Sequence, residues 1–570
     1  MILQSLYDYA KLLGDKLPSD GLEKKEILFA IVIDKNGQFI RFESQRIDKR
    51  NVKKFLVAKG VKRTSAPKPN TLWDNGKYVF GFEEKDKKCN DLFIKRVFEI
   101  ANANPEDSSI VALRKFYEIP MDSHIERMTL DDNFEDVKNS LSANFSFKLE
   151  IDDKLISEMK HLFIEDAPSD DADIQMGRCL VTGKYGPIIR TATATPLPDN
   201  SPMAALVSFQ IKSGYDSYGK TKAYNAPISV EADFAISSAL KYLTDKNSKN
   251  KFRLGNRTFL FWGSGNNELN AEVEEALSFL LGISSNNDNE PDPDSQIGKV
   301  RKLFSSIYTG VIKTTFNDRF HILGLAPNTG RISVVLWMDS ELSKFAEKIQ
   351  LHLSDMEIID NRKTNRKNYS GVFSMISAVT LGGKVSDATP NLIESLIESV
   401  INGTPYPYQL FTQALQRVRA ELTDSSVSIQ RAAILKAYIN RATKHSKHQI
   451  QLQPMLDKTN SNQGYICGRL IAVLEKIQED ANSGNSIRSR YMGAASTTPS
   501  SVFPTILNLT IHHSEKLPEG TRIYYEQLKQ QIIEQIPADG FPTHLNAIDQ
   551  GRFFVGYYHQ RADFFKKKEN

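Results

Sequence analysis

EILFAIVIDKNGQFIRFES, residues 26–44, sets two runs of apolar and β-branched residues on either side of DKNG, with Gly37 where a tight turn often needs a positive φ. The stretch predicts two strands joined as a hairpin, and so a β-containing region near the start of the chain. Before it, MILQSLYDYAKLL carries Asp8 inside an apolar stretch and has no basic leading segment, the pattern of an amphipathic helix and not of a signal peptide. After it, KPNTLWDNGKYVFGF (68–82) passes a Pro and Asn rich bend and returns to alternating aromatic and β-branched residues. That pattern predicts a loop between strands over Lys68 to Lys77.

Further along, residues 91–165 alternate helical patterns with polar turns. GRCLVTGKYGPIIR (177–190), AALVSFQ (204–210), RTFLFWG (257–263) and HILGLAPNTGRISVVLWM (321–338) carry strand signals. Between them SYGKTKAYNAPIS (217–229) reads as a loop joining a strand to the helix VEADFAISSALKYLTD, where Ala232, Ile236, Ala239, Leu240 and Leu243 fall at helical spacing. SSNNDNEPDPDSQ (284–296) reads as a polar surface excursion, a poor candidate for a metal site.

Beyond about residue 385 helical periodicity takes over: Leu410, Phe411, Ala414, Leu415 and Val418, then Ile434, Leu435, Tyr438 and Ile439, then Ile466, Leu470, Val473, Leu474 and Ile477. A helical bundle buries such stripes. The expected class is α+β: a mixed α/β region with β-hairpins over 1–385, then a C-terminal α-helical bundle over 386–570. With 570 residues, 40% hydrophobic and 25% charged, the chain is of ordinary globular composition and long enough for two or more domains. Three distant cysteines, Cys89, Cys179 and Cys467, argue against a disulfide framework or a Cys-rich zinc site. The longest apolar run, ILFAIVI (27–33), is too short to span a bilayer, so a soluble, cytoplasmic protein is expected.

The net charge is only +4, but its distribution is uneven. From Lys49 to Trp73 the chain holds Arg50, Lys53, Lys54, Lys59, Lys62, Arg63 and Lys68 besides Lys49, with no acid. A further excess of basic residues lies in 405–570. Basic regions on a near-neutral body are the footprint of a polyanion-binding protein. Catalytic motifs are missing: there is no HExxH and no GxSxG, and GSGNNELN (263–270) lacks the Lys-Ser/Thr ending of a P-loop. His512 and His513 are adjacent and point apart on a regular element. Cys179 reads as a small buried hydrophobe. The loops, by contrast, mix Lys and Arg for phosphates, Asn for base edges and Tyr for stacking.

A family resemblance covers Met1 to about Phe565. MILQSLYDYAKLL, EKKEILFAIVID, KPNTLWDNGKYVFG, GRCLVTGKYGPIIR, SFQIKSGYDSYGKTKAYNAPIS, FHILGLAPNTGRISVVLW, RAAILKAYINR, GRLIAVLEKIQEDAN, RYMGAASTTPSSVFP and DQGRFFVGYYHQRADFF resemble, in order, blocks of the large subunit of the type I-C CRISPR Cascade surveillance complex. The resemblance implies a non-catalytic protein with no cofactor or metal. It would read the PAM in target double-stranded DNA, contact the 5′ handle of the guide RNA (crRNA), support R-loop formation and recruit a separate helicase-nuclease. Its partners would be the backbone, guide-processing and small subunits, with no membrane. On that basis Asn70 and Asn75 are candidates for base-edge contacts, and Lys62, Arg63, Lys68 and Lys77 for the PAM duplex. Tyr218, Gly219, Lys220, Lys222, Tyr224 and Asn225 are candidates for the guide RNA or the adjoining backbone subunit, and Arg488 and Arg490 for the displaced strand. The family's small subunit arises by internal translation, and Met455 occupies the corresponding position. The alternative class is a metal-dependent nuclease of the same defence system with scattered acidic ligands.

Overall fold

The computed structural model describes the chain apart from residues 20, 50, 62, 64–65, 164–174, 202–203, 212–213, 215–217, 266, 282–292, 329–330, 361–370, 422–426, 445–449, 483–485 and 567–570. The chain opens with α1 (Ile2–Leu13), which buries Leu6, Tyr7, Tyr9, Ala10 and Leu13, and with β1 (Leu22–Glu26). β2 (Phe29–Ile33) is buried at every position, which makes it an internal strand. It pairs antiparallel with β3 (Phe39–Ser44) through the expected hairpin. Asp34 Oδ1 accepts from the backbone N–H groups of Asn36 and Gln38, each at 2.8 Å. Gly37 has φ 78°, and a Cβ on it would lie 2.4 Å from the backbone nitrogen of Phe116, so both turn geometry and packing require glycine there.

β4 (Lys54–Ala58) pairs with β1 as a separate two-stranded ladder. β5 (Trp73–Asn75) and α2 (Gly76–Val79) follow. Here the sequence reading needs correction. Within 68–77 only residues 68–72 are irregular, and KYV continues as a helical turn and not a strand. Its consecutive apolar residues Tyr78, Val79 and Phe80 are all buried, which an alternating strand with one wet face could not achieve. Four helices, α3 (Lys87–Ala103), α4 (Ser108–Glu118), α5 (Met121–Met128) and α6 (Phe134–Asn139), lead to β6 (Asn144–Leu149). β6 lies parallel to β2, with Phe145 opposite Phe29 and Phe147 opposite Ile31, and completes the sheet β3-β2-β6-β5. The helical reading of 91–165 missed this strand, because NFSFKL is too short to show a period of its own.

β7 (Met176–Arg178) and β8 (Tyr185–Pro187) form a small hairpin. AALVSFQ forms no strand; it makes one isolated bridge, Ala194 to Ala205, while Leu206 and Val207 pack half-buried on the core beneath α1. α7 (Val230–Thr244) buries all five residues predicted for its inner face. Then β9 (Lys251–Leu254), β10 (Arg257–Ser264), β11 (Arg319–Asn328) and β12 (Arg331–Glu341) make an antiparallel meander, with α8 (Asn267–Leu281) and α9 (Pro293–Tyr308) inserted between β10 and β11. β10 shows the alternation of a two-sided strand: Leu260 and Trp262 enter a core shared with α1 and α7, and Phe259 and Phe261 enter the opposite one.

That opposite core continues through α10 (Leu342–Met356), α11 (Val372–Val379), α12 (Pro390–Asn402), α13 (Tyr408–Ala420), α14 (Ile429–Thr443), α15 (Gln463–Asn482), α16 (Ser486–Ala495), α17 (Pro499–Ser514), α18 (Glu519–Ile533) and α19 (Ala547–Asp563). The fold is α+β, with the helices gathered toward the C-terminus. Among the described residues no helix is long and apolar enough to cross a membrane, and Cys89, Cys179 and Cys467 are unpaired and buried.

α15 and α19 cross with their backbones nearly touching. A Cβ on Gly468 would lie 1.9 Å from the carbonyl oxygen of Phe553, and one on Gly556 would lie 2.3 Å from that of Tyr465. No rotamer change relieves an overlap with backbone, so Gly468→Ala and Gly556→Ala are each expected to cost more than about 4 kcal/mol, enough to abolish soluble expression or cooperative melting. Gly493 in α16 faces open space, and Gly493→Ala should be neutral or stabilising by about 0.5–1 kcal/mol through helix propensity. Thermal melting of the three variants checks both.

Candidate nucleic-acid interface

The segment before β5 is organised by one buried carboxylate. Asp74, 1% exposed, accepts at Oδ2 from the Arg63 guanidinium and from the backbone N–H of Asn70 (2.9 Å), and at Oδ1 from the N–H of Asn75 (2.9 Å). Burial holds its carboxyl above the usual range in spite of these donors. Arg63 also donates from Nε to the Lys68 carbonyl (2.7 Å), and its guanidinium lies 4.1 Å from the centre of the Tyr78 ring. Asn70 Oδ1 accepts from the N–H of Val61 (2.9 Å). At the end of the loop Leu72, fully buried, is held at φ 64°, a conformation that costs a non-glycine residue about 1–3 kcal/mol.

The expected DNA-facing residues therefore divide. Arg63 and Asn70 shape the loop from within: Asn70 is 5% exposed and its acceptor is occupied. A buried amide presents no edge to a base, and this corrects the expectation that Asn70 points outward. Lys68 and Lys77 are exposed, Lys77 with a loose contact of 3.7 Å to Asp86. Asn75 is half-buried as a residue, but its Oδ1 is itself buried and has no hydrogen-bond partner among the described residues. Lys62 lies outside the described residues.

The second candidate loop is held at both ends. Ser229 caps α7, its Oγ accepting from the N–H of Ala232, and its own N–H donates to Cys179 Sγ (3.2 Å). This bond and one from Thr182 bring the buried Cys179 thiol down to about 7 against the opposing effect of burial. The N–H of Leu180, in the β7–β8 turn, donates to the Pro227 carbonyl (2.9 Å). Upstream, Asn225 Nδ2 donates to the carbonyls of Lys222 (3.1 Å) and Lys220 (3.3 Å), drawing 220–225 into a tight turn. Tyr218 at φ 51° and Gly219 at φ 74° both take left-handed backbone, which projects the Tyr218 ring into solvent with no protein cover. Lys220 is exposed, while Lys222 and Tyr224 are half-buried. Among the described residues no strand lies between β8 and this loop, in contrast to the strand-to-helix reading.

The third pair separates. Arg490 is exposed, but Arg488 is buried: Nη2 donates to Tyr557 Oη (2.6 Å), and Nε lies 3.5 Å from Glu475 Oε1. Glu475 is fully buried, accepts from Tyr557 Oη, and stands near Arg561, which also pairs with Glu479 at 2.9 Å. Burial pushes the Glu475 carboxyl up although two guanidinium groups oppose it. Arg488 thus neutralises a buried acid, a correction to its assignment as a strand contact. Among the described residues no group of three or more His, Cys, Asp or Glu side chains is placed to hold a metal ion; of the acidic excursion at 284–296, residues 284–292 lie outside them and 293–296 open α9.

The chain matches the family profile described as CRISPR-associated protein (Cas_Csd1) over residues 3–565. It belongs to that family. No curated protein matches it. Sequence reasoning found the surface cations of this Cas_Csd1 family member but could not separate Arg488 from Arg490, two residues apart in a basic stretch. The only available signal was Glu475, an acid inside the apolar stripe of α15 that requires a buried partner. Removing one member of a buried pair costs about 3–5 kcal/mol. Arg488→Ala should therefore lower the denaturation midpoint sharply and Arg490→Ala should leave it unchanged, as followed by urea unfolding.

Proposed function

We propose that the chain is the non-catalytic large subunit of a type I-C Cascade complex, reading the PAM in target duplex DNA, contacting the guide RNA 5′ handle and recruiting the helicase-nuclease. What carries this reading is the family match, which runs through nearly the whole chain and so covers both candidate surfaces. Guide pairing supplies most of the sequence information in an RNA-guided complex, so the protein needs only a short base-reading element and phosphate contacts around it.

On the PAM side, Asn75 is the base reader: its Oδ1 lies buried with no partner among the described residues, an unmet acceptor that a rotation of the half-buried side chain toward a base would satisfy. Lys68 and Lys77 hold phosphates on either side, and the Asp74 cluster keeps the loop in shape. On the guide side, Tyr218 is the stacking ring and Lys220 the phosphate contact. Arg490 remains the candidate for the displaced strand. Met455 is 49% exposed in irregular chain between α14 and α15, so its side chain is dispensable to the core, and a product starting there would contain α15 to α19 intact.

The decisive measurement is target binding by the assembled complex. Asn75→Ala should cut discrimination between intact and scrambled PAM by about tenfold, the worth of one good base contact of roughly 1–3 kcal/mol, while complexes still assemble. Unchanged discrimination would reject Asn75 as the reader. Incubation of the purified chain with Mg²⁺ or Mn²⁺ and labelled DNA should leave the DNA intact, and cutting would favour the nuclease alternative.

Internal initiation gives a separate expectation. Expression from native codons should yield a second, C-terminal species of about 13 kDa, scaled from 64.3 kDa for 570 residues, and Met455→Leu should remove it without changing the stability of the full chain. Persistence of the small species would exclude this start.

A further inference from the structure

The basic run of residues 49–68 does not all face the PAM loop. β1 and β4 turn Leu22, Lys24 and Lys54 toward the flank of α7 that carries Phe234, Ser237, Ser238, Lys241 and Tyr242, residues that share one helical stripe. Between the ladder and the helix lies a cleft of about 560 Å³, a volume typical of ligand sites. Six lysines line it: Lys16, Lys24, Lys54, Lys59, Lys241 and Lys249. The described lining has two carboxylates, and both are engaged: Asp245 pairs with Lys54, and Glu23 accepts from the Gly60 N–H (2.8 Å) and from Lys241 (3.3 Å). A two-stranded ladder packed on a helix for stability alone would meet it through apolar side chains. Here Lys24, Lys54, Lys241, Ser237 and Ser238 stand among Leu17, Leu22 and Phe234, and the lysines hold a positive field over a concave surface.

Lys59 Nζ is held 5.2 Å from the centre of the Phe234 ring, and Tyr242 keeps part of its ring in solvent (37% exposed). Cations interleaved with an available ring form the arrangement that holds unpaired nucleotides, phosphates on the lysines and a base on the aromatic face. A duplex offers no unstacked base to such a ring. We propose that this cleft binds a short single-stranded nucleic-acid segment, with Lys16, Lys24, Lys59 and Lys249 on its phosphates and Tyr242 stacked on a base. The site is distinct from the loops at 68–77 and 218–225, and the inference does not depend on which complex the chain joins.

The test uses the full-length purified chain and fluorescently labelled single-stranded RNA and DNA of about ten nucleotides, read by anisotropy across a salt titration. Replacing Lys16, Lys24 and Lys249 together with Gln should weaken binding about tenfold or more and flatten the log–log salt slope by about 2, since each single-strand phosphate contact contributes about 0.7. The corresponding triple Arg variant should restore both. Tyr242→Leu should weaken affinity and leave the slope unchanged. Removing the same charge elsewhere, at the exposed Lys299, Lys302 and Lys313, should have little effect, and melting curves establish that every variant is folded. The inference is overturned if the Gln triple variant binds like wild type. It is equally overturned if polyglutamate of matched charge, or a blunt duplex of matched length, competes as well as the single strand. Because no other subunit is present, a negative result here leaves the PAM measurement untouched, and a failed PAM measurement leaves this one untouched.

Discussion

Backbone touches backbone where α15 crosses α19, and the C-terminal half is arranged around that contact. Gly464, Gly468 and Gly556 each face main-chain atoms of the opposing helix, and interiors packed to crystal density cannot open to admit even one methyl group. The closeness has electrostatic consequences. Side chains flanking the crossing are enclosed whatever their polarity, so Arg469, Glu475, Arg552, His559 and Gln560 are almost fully buried. Each needs a partner within reach. Arg469 takes the side-chain oxygens of Gln560 and Gln535, and Glu475 takes Arg488 and Tyr557. His559 Nδ1 and Tyr465 Oη share a hydrogen bond (3.0 Å), and burial drops the imidazole to about 3, so it stays neutral at physiological pH.

The meander β9 to β12 acts as the wall between the helical half and the N-terminal elements. Its two faces belong to different cores, and the larger of these runs from Phe252 to Tyr558. The sheet therefore fixes α1 and α7 on one side while the helices from α8 onward pack on the other. α7 connects two surfaces of interest: the tight loop 218–225 leads into its N-terminus, and the lysine-lined cleft lies along its flank. The 68–77 loop belongs to the other sheet and depends on a single carboxylate, Asp74, whose bonds to Arg63, Asn70 and Asn75 convert a Pro and Asn rich stretch into one defined shape. Buried and multiply bonded, such a residue is costly to remove.

Sequence by itself determined what depends on nearest neighbours and on period. The DKNG hairpin, the inner face of α7, the apolar stripes of α13 to α15 and the α+β class follow from local turn chemistry and from spacing, and a core must bury those stripes in any arrangement. The presence of lysines and tyrosines in loops was equally legible, since composition needs no coordinates. Tertiary structure decided which of them face outward. Arg488 and Arg490 differ only in which has Glu475 beside it; Asn70 has its acceptor taken by Val61, whereas Asn75 keeps a buried acceptor with no partner among the described residues. β6 became a strand because β2 and β5 stood ready to pair with it, and KYVF became a helical turn because three successive apolar residues, Tyr78, Val79 and Phe80, had to be covered together. Lys54 and Lys59 joined Lys241 across nearly two hundred residues because a ladder packed on a helix. Local propensity is indifferent to these choices, and long-range packing and the cost of an unpartnered buried charge made them.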